Sequence, residues 1–376
     1  MSALSAPFDE SWSGLLGGAL TITSRVTATG VGELEVVSGT VTYDEDRTPH
    51  VEASIQCRVP DEQDALDALD PRAGCRLVVT VGYRVPGNSE EHVLCNLILT
   101  SRDVERPGSV MNLTAVSDEQ YVLDTQPINA SRTFTDSSDG GAAIRTLLLW
   151  DAAAWGPTPP SVDVRASGGF VPSGDNLVID REDNLWNSIQ DIADRIGAWV
   201  YHDGLGPDGA FHVVPQPVKA GPATAMLRVG PGGTITDSQA QLGRERFGNT
   251  VLVKYSWNDG EQRSAFGYAE VTSGPHAVAA VGRKVLTVEY PRKGTAAQAR
   301  AAAASMVTRA VTRGRELSID FEHAPFWLRP GQTITVQLPT GPQERHLVAR
   351  MTFDIPSGRG HVRTRQPENV SIETGE

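Results

Sequence analysis

Cysteine is scarce in this sequence, and the marks of a membrane span or a secretory signal are missing. The 376-residue chain has three cysteines, Cys57, Cys75 and Cys95, with no CxxC pair. This odd number argues against a disulfide framework or a zinc site and favours buried free thiols. No apolar run approaches the roughly 18 residues of a membrane helix. The N-terminus has no basic start and carries Asp9 and Glu10, so it does not fit a secretory signal. We therefore expect folding in a cytoplasm, without stable membrane insertion.

The motifs of several enzyme classes are also missing. There is no GxSxG nucleophile elbow, no HExxH zinc motif and no GxxxxGKS/T phosphate loop. Residues 204–209 spell GxGxxG, but a dinucleotide loop needs a following helix, whereas the next segment is strand-like and Pro207 lies inside the run. We interpret the run as a hairpin turn. The sequence therefore predicts no catalytic, cofactor-binding or metal-binding residue.

Three weaker groupings leave other chemistry open. His202 and His212 could meet across the hairpin with Asp203 nearby, although cross-strand pairs are more often surface or core residues than metal ligands. The acidic turn at residues 44–46 could bind calcium loosely, but it lacks the regular ligand spacing of a calcium loop. Carboxylate pairs for glycoside hydrolysis stay possible in an acidic protein, although nothing selects a particular pair.

The net charge of −13 is spread unevenly along the chain. Residues 1–282 contain 19 basic and 37 acidic residues, whereas residues 283–365 contain 14 basic and 6 acidic ones. An acidic body argues against general affinity for nucleic acid. The basic stretch is either a phosphate-binding face or one side of a contact between unlike faces in an assembly. In the second case we expect residues such as Arg309 or Arg313 to meet acidic residues of a neighbouring chain.

Length and hydrophobic periodicity divide the chain into three parts and a tail. A composition of 39% hydrophobic and 21% charged residues is ordinary for a folded protein, and 376 residues suggest two or three domains. In residues 1–123, segments that alternate with period two between turn residues predict a β-domain that is either a closed barrel or a sandwich. Residues 221–367 are again β-rich, with an inserted alanine-rich helix at 296–313. The last segment, 368–376, is expected to be a loose tail.

The middle part, residues 124–220, contains the clearest helical pattern in the chain. Asp183 is placed to cap the start of this helix, and Gly197 is placed to end it in a left-handed conformation. Two strand-like segments follow, 198–202 and 210–214, and predict a hairpin. One helix face carries apolar residues at helical spacing, namely Leu185, Trp186, Ile189, Ile192, Ala193 and Ile196.

Two further helices carry start signals. Residues 142–150 predict a helix that Ser138 or Asp139 is placed to cap. Thr295 and Gln298 have the spacing of a capping box at the start of the alanine-rich helix.

The middle part resembles the helix-plus-hairpin unit of phage baseplate-hub proteins, a family that includes the hub part of type VI secretion spike proteins. The resemblance rests on residues 183–193 and on the hairpin that follows them. Residues 328–336, with the turn Pro330-Gly331, are similar to the segment that leads a strand of the hub's second barrel. Residues 37–44 look like the first-barrel opening of siphophage minor tail proteins.

The resemblance implies an α+β, β-rich fold of two β-barrel domains with an intervening α+β region. It implies a non-enzymatic hub subunit of a phage tail tip, a homotrimer that joins the tail tube to a central fibre or spike. Its partners would be the distal tail protein, the tape measure protein and the central fibre or spike protein. Phage DNA would pass through it transiently, without sequence-specific binding, and no cofactor is implied. Such a subunit belongs to the virion and is assembled in the cytoplasm of the bacterial host.

Two other functions are kept as alternatives. A tail-associated cell-wall hydrolase would need a catalytic pair that converges in a cleft with perturbed pKa values. A carbohydrate-binding receptor module would need an exposed aromatic platform, for which Trp150, Trp155 and Trp257 are the candidates.

Overall fold

The computed structural model describes residues 12, 15–16, 18, 20–105, 109–126, 131–150, 159–171, 176–180, 183–230, 233–243, 245, 247–367 and 370–375. The strands within these residues are β1 (Thr21–Ala28), β2 (Gly32–Glu33), β3 (Val36–Asp44), β4 (Val51–Arg58), β5 (Arg76–Val85), β6 (Asn88–Val104), β7 (Val110–Val116), β8 (Arg132–Thr135), β9 (Ser161–Val164), β10 (Asn176–Ile179), β11 (Ala198–His202), β12 (Ala210–Pro215), β13 (Ala223–Arg228), β14 (Ile235–Leu242), β15 (Thr250–Asn258), β16 (Gln262–Val271), β17 (Val285–Tyr290), β18 (Arg315–Phe321), β19 (Thr333–Gln337), β20 (Glu344–Ile355), β21 (Gly360–Arg365) and β22 (Ile372–Gly375). The α-helices are α1 (Gln63–Ala68), α2 (Glu119–Asp124), α3 (Gly140–Leu148), α4 (Leu185–Ile196), α5 (Val278–Val281) and α6 (Ala296–Ala310). None of the described helices has the length and apolar character needed to cross a membrane.

The first β-rich part forms the strands that its alternating pattern predicts. In β4, Val51, Ala53, Ile55 and Cys57 are buried and the residues between them are more exposed, because successive side chains of a strand point to opposite faces. Antiparallel pairs run from β3 through β4, β7, β6 and β5 to β1. All three cysteines are free and buried, as predicted.

A strand from the far end of the sequence joins the two β-rich parts. β20 pairs antiparallel with β3, from Arg350 opposite Asp44 to Ile355 opposite Gly39. β20 also pairs with β19 and β21, and from these the sheet continues to β13, β18 and β14. The result is one 13-stranded sheet. Its buried side chains come from both β-rich parts and form one hydrophobic core.

The predicted β-rich α+β class is confirmed, whereas the described strands do not show closed barrels. Their pairing runs as an open path from β14 to β2, with β19 and β13 as a branch from β20. β20 belongs to the sheet of both β-rich parts, and the two β-barrel domains stay a prediction. The boundaries 1–123, 124–220 and 221–367 stay predictions.

The middle part builds a second core around α3, α4 and the β11–β12 hairpin. The side chain of Asn184, rather than that of Asp183, caps α4 by accepting a first-turn N–H at 2.9 Å. The helix ends at Gly197 with φ 66°, the left-handed conformation that the sequence predicts. Ile189 and Ile192 are fully buried in the core that the hairpin shares.

The other strands of the third part form a separate sheet in the order β17-β15-β16-β22. α6 starts at the predicted capping box of Thr295 and Gln298, packs on β15 and β16, and continues into the 3₁₀ turn Val311–Gly314. Gly267 on β16 permits this packing, since a Cβ there would lie 2.4 Å from the backbone N of Arg300. Glycine at this position therefore lets the helix lie directly on the sheet.

The C-terminal segment differs from the loose tail that the sequence predicts. Within residues 368–376, β22 pairs antiparallel with β16, from Ile372 opposite Val271 to Gly375 opposite Tyr268. The edge of β16 that faces away from β15 offers unpaired backbone groups, and the C-terminal residues satisfy them. Local sequence pattern alone does not reveal such a distant partner.

Candidate functional site

The run that spells GxGxxG is the turn of the β11–β12 hairpin, as predicted. It contains the 3₁₀ turn Gly206–Asp208, and a strand rather than a helix follows it. A helix N-terminus that could hold phosphate groups is therefore not formed by this loop.

The two histidines of the hairpin do not come together. His202 lies opposite Phe211 and His212 lies opposite Tyr201, so the two imidazoles point to opposite faces of the hairpin. Asp203 lies near both rings, with 3.5 Å between its Oδ2 and Nε2 of His212 and 3.8 Å between its Oδ1 and Nδ1 of His202. Within the described ranges, no three His, Cys, Asp or Glu side chains are grouped so that they could hold a metal ion.

The acidic turn between β3 and β4 is the centre of an ion-pair network. Glu45 pairs with Arg365 at 2.7 Å between Oε1 and Nε, and the two side chains are 2% and 3% exposed. Asp46 accepts from Nη2 of Arg309 and from Nη1 of Arg313, each at 2.6 Å. We call the whole network the arginine–carboxylate junction; its members are Asp44, Glu45, Asp46, Arg309, Arg313, Glu316, Arg350, Arg363 and Arg365.

This junction corrects the expectation that Arg309 and Arg313 meet a neighbouring chain. Both arginines project from the end of α6 and its 3₁₀ turn onto Asp46 of the same chain. Burial favours the protonated form of Asp46, but the hydrogen bond from Arg313 and the charge of Arg309 outweigh it and lower the pKa of Asp46. The acidic and basic regions of the sequence therefore meet inside one chain.

The arginine–carboxylate junction ties together segments that are far apart in the sequence. Arg365, at the end of β21, donates from Nη1 to the hydroxyl of Thr312 at 3.3 Å and from Nη2 to the carbonyl of Pro217. The same guanidinium holds Glu45 of the first β-rich part. One buried side chain thus links the 13-stranded sheet, the segment after the hairpin and the end of α6.

A second buried ion pair joins α4 to the four-stranded sheet. Asp191 and Arg195, one helical turn apart, bond at 2.6 Å between Oδ2 and Nη2 and at 3.0 Å between Oδ1 and Nε. Tyr255 on β15 donates to Oδ1 of Asp191 at 2.8 Å. Although burial disfavours the charged form of Arg195, the charge of Asp191 outweighs this and raises the pKa of Arg195. The guanidinium of Arg195 therefore stays charged inside the protein.

Asp194 lies on the same helix in a different environment. It accepts a hydrogen bond from the hydroxyl of Tyr290 on β17. Burial is the main cause that raises the pKa of Asp194 to about 6, and the nearby charge of Asp191 adds to it. This carboxyl group therefore changes charge in the mildly acidic range.

A third polar cluster lies where the first and middle parts meet. Oε1 of Glu119 accepts from the backbone N–H of His50 at 3.2 Å and from that of His202 at 2.8 Å. Burial raises the pKa of Glu119 and lowers the pKa of His50 to about 4. The imidazole of His50 is therefore neutral near pH 7, and the carboxyl group of Glu119 bridges two backbone segments.

The tryptophans proposed for a carbohydrate platform are separated. Trp150 packs against the middle core with the guanidinium of Arg132 4.8 Å from its ring centre. Trp257 is half-buried beside the core of the four-stranded sheet. Trp155 lies outside the described residues. The two described rings thus belong to different cores.

Sequence reasoning missed these networks, although one signal was present. Asp191 and Arg195 stand four residues apart on α4, outside its apolar face, a spacing that favours an ion pair. Glu45 and Arg365 are 320 residues apart, and no local pattern connects them.

No family model matches this chain, and no curated protein matches it in sequence. Solved structures do match it. The tail protein from Neisseria meningitidis MC58 has 15% identity and a TM-score of 0.61, with 92% of this chain and 96% of that chain covered. The 43 kDa tail protein of prophage MuSo2 from Shewanella oneidensis has 11% identity and a TM-score of 0.61, with 92% and 98% covered.

A chain of the Francisella PdpA–VgrG complex is similar as well. It has 10% identity and a TM-score of 0.52, and the match covers 96% of this chain but 55% of that chain. At these identities the likeness is one of fold. The chain therefore shares the fold of phage tail proteins, and the resemblance that the sequence suggested is confirmed at this level.

Proposed function

We propose that this chain is a non-enzymatic structural subunit of a phage tail tip, of the baseplate-hub type. The observation that carries the proposal is the match in fold to two tail proteins over nearly their whole lengths, 96% and 98%. A match of that extent leaves little of either chain without a counterpart. Fold alone does not define function, so the proposal also needs support from the molecule itself.

The joined sheet and its ion networks support a mechanical role. The β3–β20 pair and the single core prevent the two β-rich parts from moving independently. Buried ion pairs at Glu45–Arg365 and Asp191–Arg195 then hold α6 and α4 in place. A stiff subunit of this kind suits a connector that transmits force between a tail tube and a central fibre or spike.

In the proposed assembly, three copies form a ring on the tail axis. The neighbours are the distal tail protein, the tape measure protein and the central fibre or spike protein. An excess of negative charge, −13 for the chain, would repel DNA from the lumen and let it slide through without sequence-specific contacts. The site of action is the virion, after assembly in the host cytoplasm.

A cryo-EM reconstruction of the particle that carries this chain tests the assembly. We expect three copies in one ring, between the tail tube and the central fibre or spike. Six copies in one ring, or one copy away from the axis, would contradict the proposal.

An activity assay tests the non-enzymatic part of the proposal. We expect the purified chain to release no soluble fragments from peptidoglycan or host surface polysaccharide. Turnover that survives further purification, and that an independent preparation reproduces, would instead favour the cell-wall hydrolase.

A further inference from the structure

A groove of about 560 Å³ lies on the solvent face of the 13-stranded sheet, where β20 pairs with β3 and joins the two β-rich parts. Its floor consists of polar side chains from four adjacent strands, namely Asp354 on β20, Ser38 and Thr40 on β3, Ser54 and Gln56 on β4, and Asn112 on β7. Because these strands are central in the sheet, their backbone groups are paired on both sides. Recognition in this groove therefore depends on side chains.

The floor residues are arranged in two rows that cross the strands. In the first row Asp354 lies opposite Thr40, and Thr40 lies opposite Ser54. In the second row, two residues further along β4, Gln56 lies opposite Asn112. Neighbouring strands are about 4.8 Å apart, and two residues along a strand span about 7 Å. Positions within a row therefore repeat at nearly the length of one pyranose unit in an extended polysaccharide.

The second row is a hydrogen-bonded chain, whereas the first row has unused donors and acceptors. The hydroxyl of Ser38 donates to Oε1 of Gln56 at 3.4 Å, and Nε2 of Gln56 donates to Oδ1 of Asn112 at 3.3 Å. The hydroxyls of Thr40 and Ser54 make no hydrogen bond to another described residue. Hydroxyl and amide groups each donate and accept. A ligand with many hydroxyl groups would complement such a floor.

Asp354 is the one ionisable residue among the described residues that line the groove. Burial is the main cause that raises the pKa of its carboxyl group, and the charge of Arg359 opposes it. The basic side chains beside Asp354 are engaged elsewhere, since Arg359 pairs with Glu322 at 3.2 Å and His361 pairs with Asp320 at 2.6 Å. An anionic ligand would therefore meet a carboxyl group and no lining cation, so the charge favours an uncharged ligand.

Two exposed apolar side chains also line the groove. Val37 on β3 is 49% exposed, and Pro356, which follows β20, is exposed as well. Sugar rings present C–H groups on their faces and hydroxyl groups around their edges, so they match both these side chains and the polar floor. A purely apolar ligand would cover the floor and leave its polar groups without partners.

We propose that the groove binds an extended, uncharged oligosaccharide that lies across the strands. Its hydroxyl groups would bond to the two rows, among them Ser54, Gln56 and Asn112, and its C–H faces would pack on Val37 and Pro356. Specificity would come from the matching of hydroxyl groups, because a polar group left unpaired on binding costs free energy. The proposal depends neither on the tryptophans considered above nor on a role in a phage tail.

A panel of short unbranched oligosaccharides, immobilised on an array and probed with the intact purified chain, tests the proposal. The panel contains uncharged oligomers of glucose, mannose, galactose and N-acetylglucosamine, and matching oligomers that carry uronic acid or phosphate. We expect binding to uncharged members. Gln56→Leu keeps the size of the side chain and removes the amide, so the Kd of the bound oligosaccharide, measured by calorimetry, should weaken about fivefold. Gln239→Leu, at an exposed position of β14 outside the groove, is the matched control and should leave Kd unchanged.

A second variant covers the case in which Gln56→Leu does not fold. Ser54→Tyr, at an exposed strand position that accepts an aromatic side chain, fills the groove and should abolish binding without lowering the melting temperature. In the native chain, the side-chain amide NMR signals of Gln56 and Asn112 should shift when the bound oligosaccharide is added. Binding of no uncharged member, a preference for charged members, unshifted amide signals or an unchanged Kd in both variants would overturn the proposal.

Discussion

At the scale of single residues, the charged groups that most affect the stability of the fold are those buried from water. Glu45 and Arg365 are almost fully buried, whereas Glu35 and Arg58 form a pair whose side chains are 69% and 64% exposed. Water screens the exposed pair, and such pairs contribute about 0–1 kcal/mol. A buried charge that loses its partner costs far more, because it can recover neither its hydration nor its ion pair.

Glu45→Gln should therefore destabilise the chain strongly. It leaves the guanidinium of Arg365 buried beside a neutral amide, and the expected loss is about 3–5 kcal/mol in the free energy of unfolding. Urea denaturation followed by circular dichroism measures it. Glu35→Gln is the matched control and should change the free energy by less than about 1 kcal/mol. Equal effects of the two variants would show that the buried pair does not stabilise the fold.

Asp194 predicts a pH dependence of a defined sign. Its pKa is raised by burial to about 6 in the folded protein, against about 4 in the unfolded chain. Between these values the folded protein keeps a proton that the unfolded chain has lost, so stability falls as pH rises from 4 to 6. Asp194→Asn removes this contribution and retains an acceptor for Tyr290.

The free energy of unfolding of Asp194→Asn minus that of the native chain should increase by about 1–3 kcal/mol as the pH rises from 4 to 7. Chemical denaturation at several pH values measures this difference. Glu33→Gln, at an exposed position, controls for the removal of one negative charge. A difference that is flat with pH would mean that Asp194 titrates alike in the folded and unfolded chains.

At the scale of elements, local periodicity predicted the helix α4 but did not predict which residue caps it. The apolar spacing of Ile189 and Ile192 identified the buried face, because a helix repeats every 3.6 residues. Asp183 and Asn184 are both good capping residues, and the backbone conformation that selects Asn184 is set by the preceding chain. Element type was therefore predictable, and the exact boundary was not.

Ile189→Asp tests the buried face of α4. Loss of the side chain costs about 2–5 kcal/mol, and burial of an unpaired carboxylate adds to this, so we expect misfolding. Asn187→Asp introduces the same residue at an exposed position of the same helix, where a negative charge near the N-terminus is tolerated. Soluble yield and melting temperature distinguish the two. An unchanged melting temperature for Ile189→Asp would show that this face is not core.

At the scale of the whole molecule, sequence reasoning missed the contacts that join distant segments. The β-rich class followed from alternation in each strand, but β3 and β20 are about 300 residues apart and carry no local sign of their pairing. Asp46 and Arg309 are also far apart in the sequence. Their ion pair was therefore not predicted, and Arg309 was expected to meet another chain. Periodicity reports which face of an element is buried, and it does not report what covers that face.

The joined sheet predicts that the first β-rich part does not fold alone. A fragment of residues 1–126 would expose the edge of β3 and lose Met351 and Phe353, which are fully buried in the shared core. The hydroxyl of Tyr83 would lose the backbone carbonyl of Ala324, to which it donates in the interior. We expect this fragment to be aggregated or to lack cooperative unfolding, as judged by circular dichroism and amide NMR dispersion.

Co-expression of the two fragments distinguishes the effect of removing residues 127–376 from the effect of breaking the chain after residue 126. Fragments 1–126 and 127–376 contain every residue of the chain, so the β3–β20 pair can form between them. We expect the two to copurify and to melt in one transition, a few degrees below the intact chain. If residues 1–126 alone instead gave a dispersed spectrum and a cooperative transition, the first part would be an independent domain. The pairing with β20 would then be a contact between domains rather than a shared core.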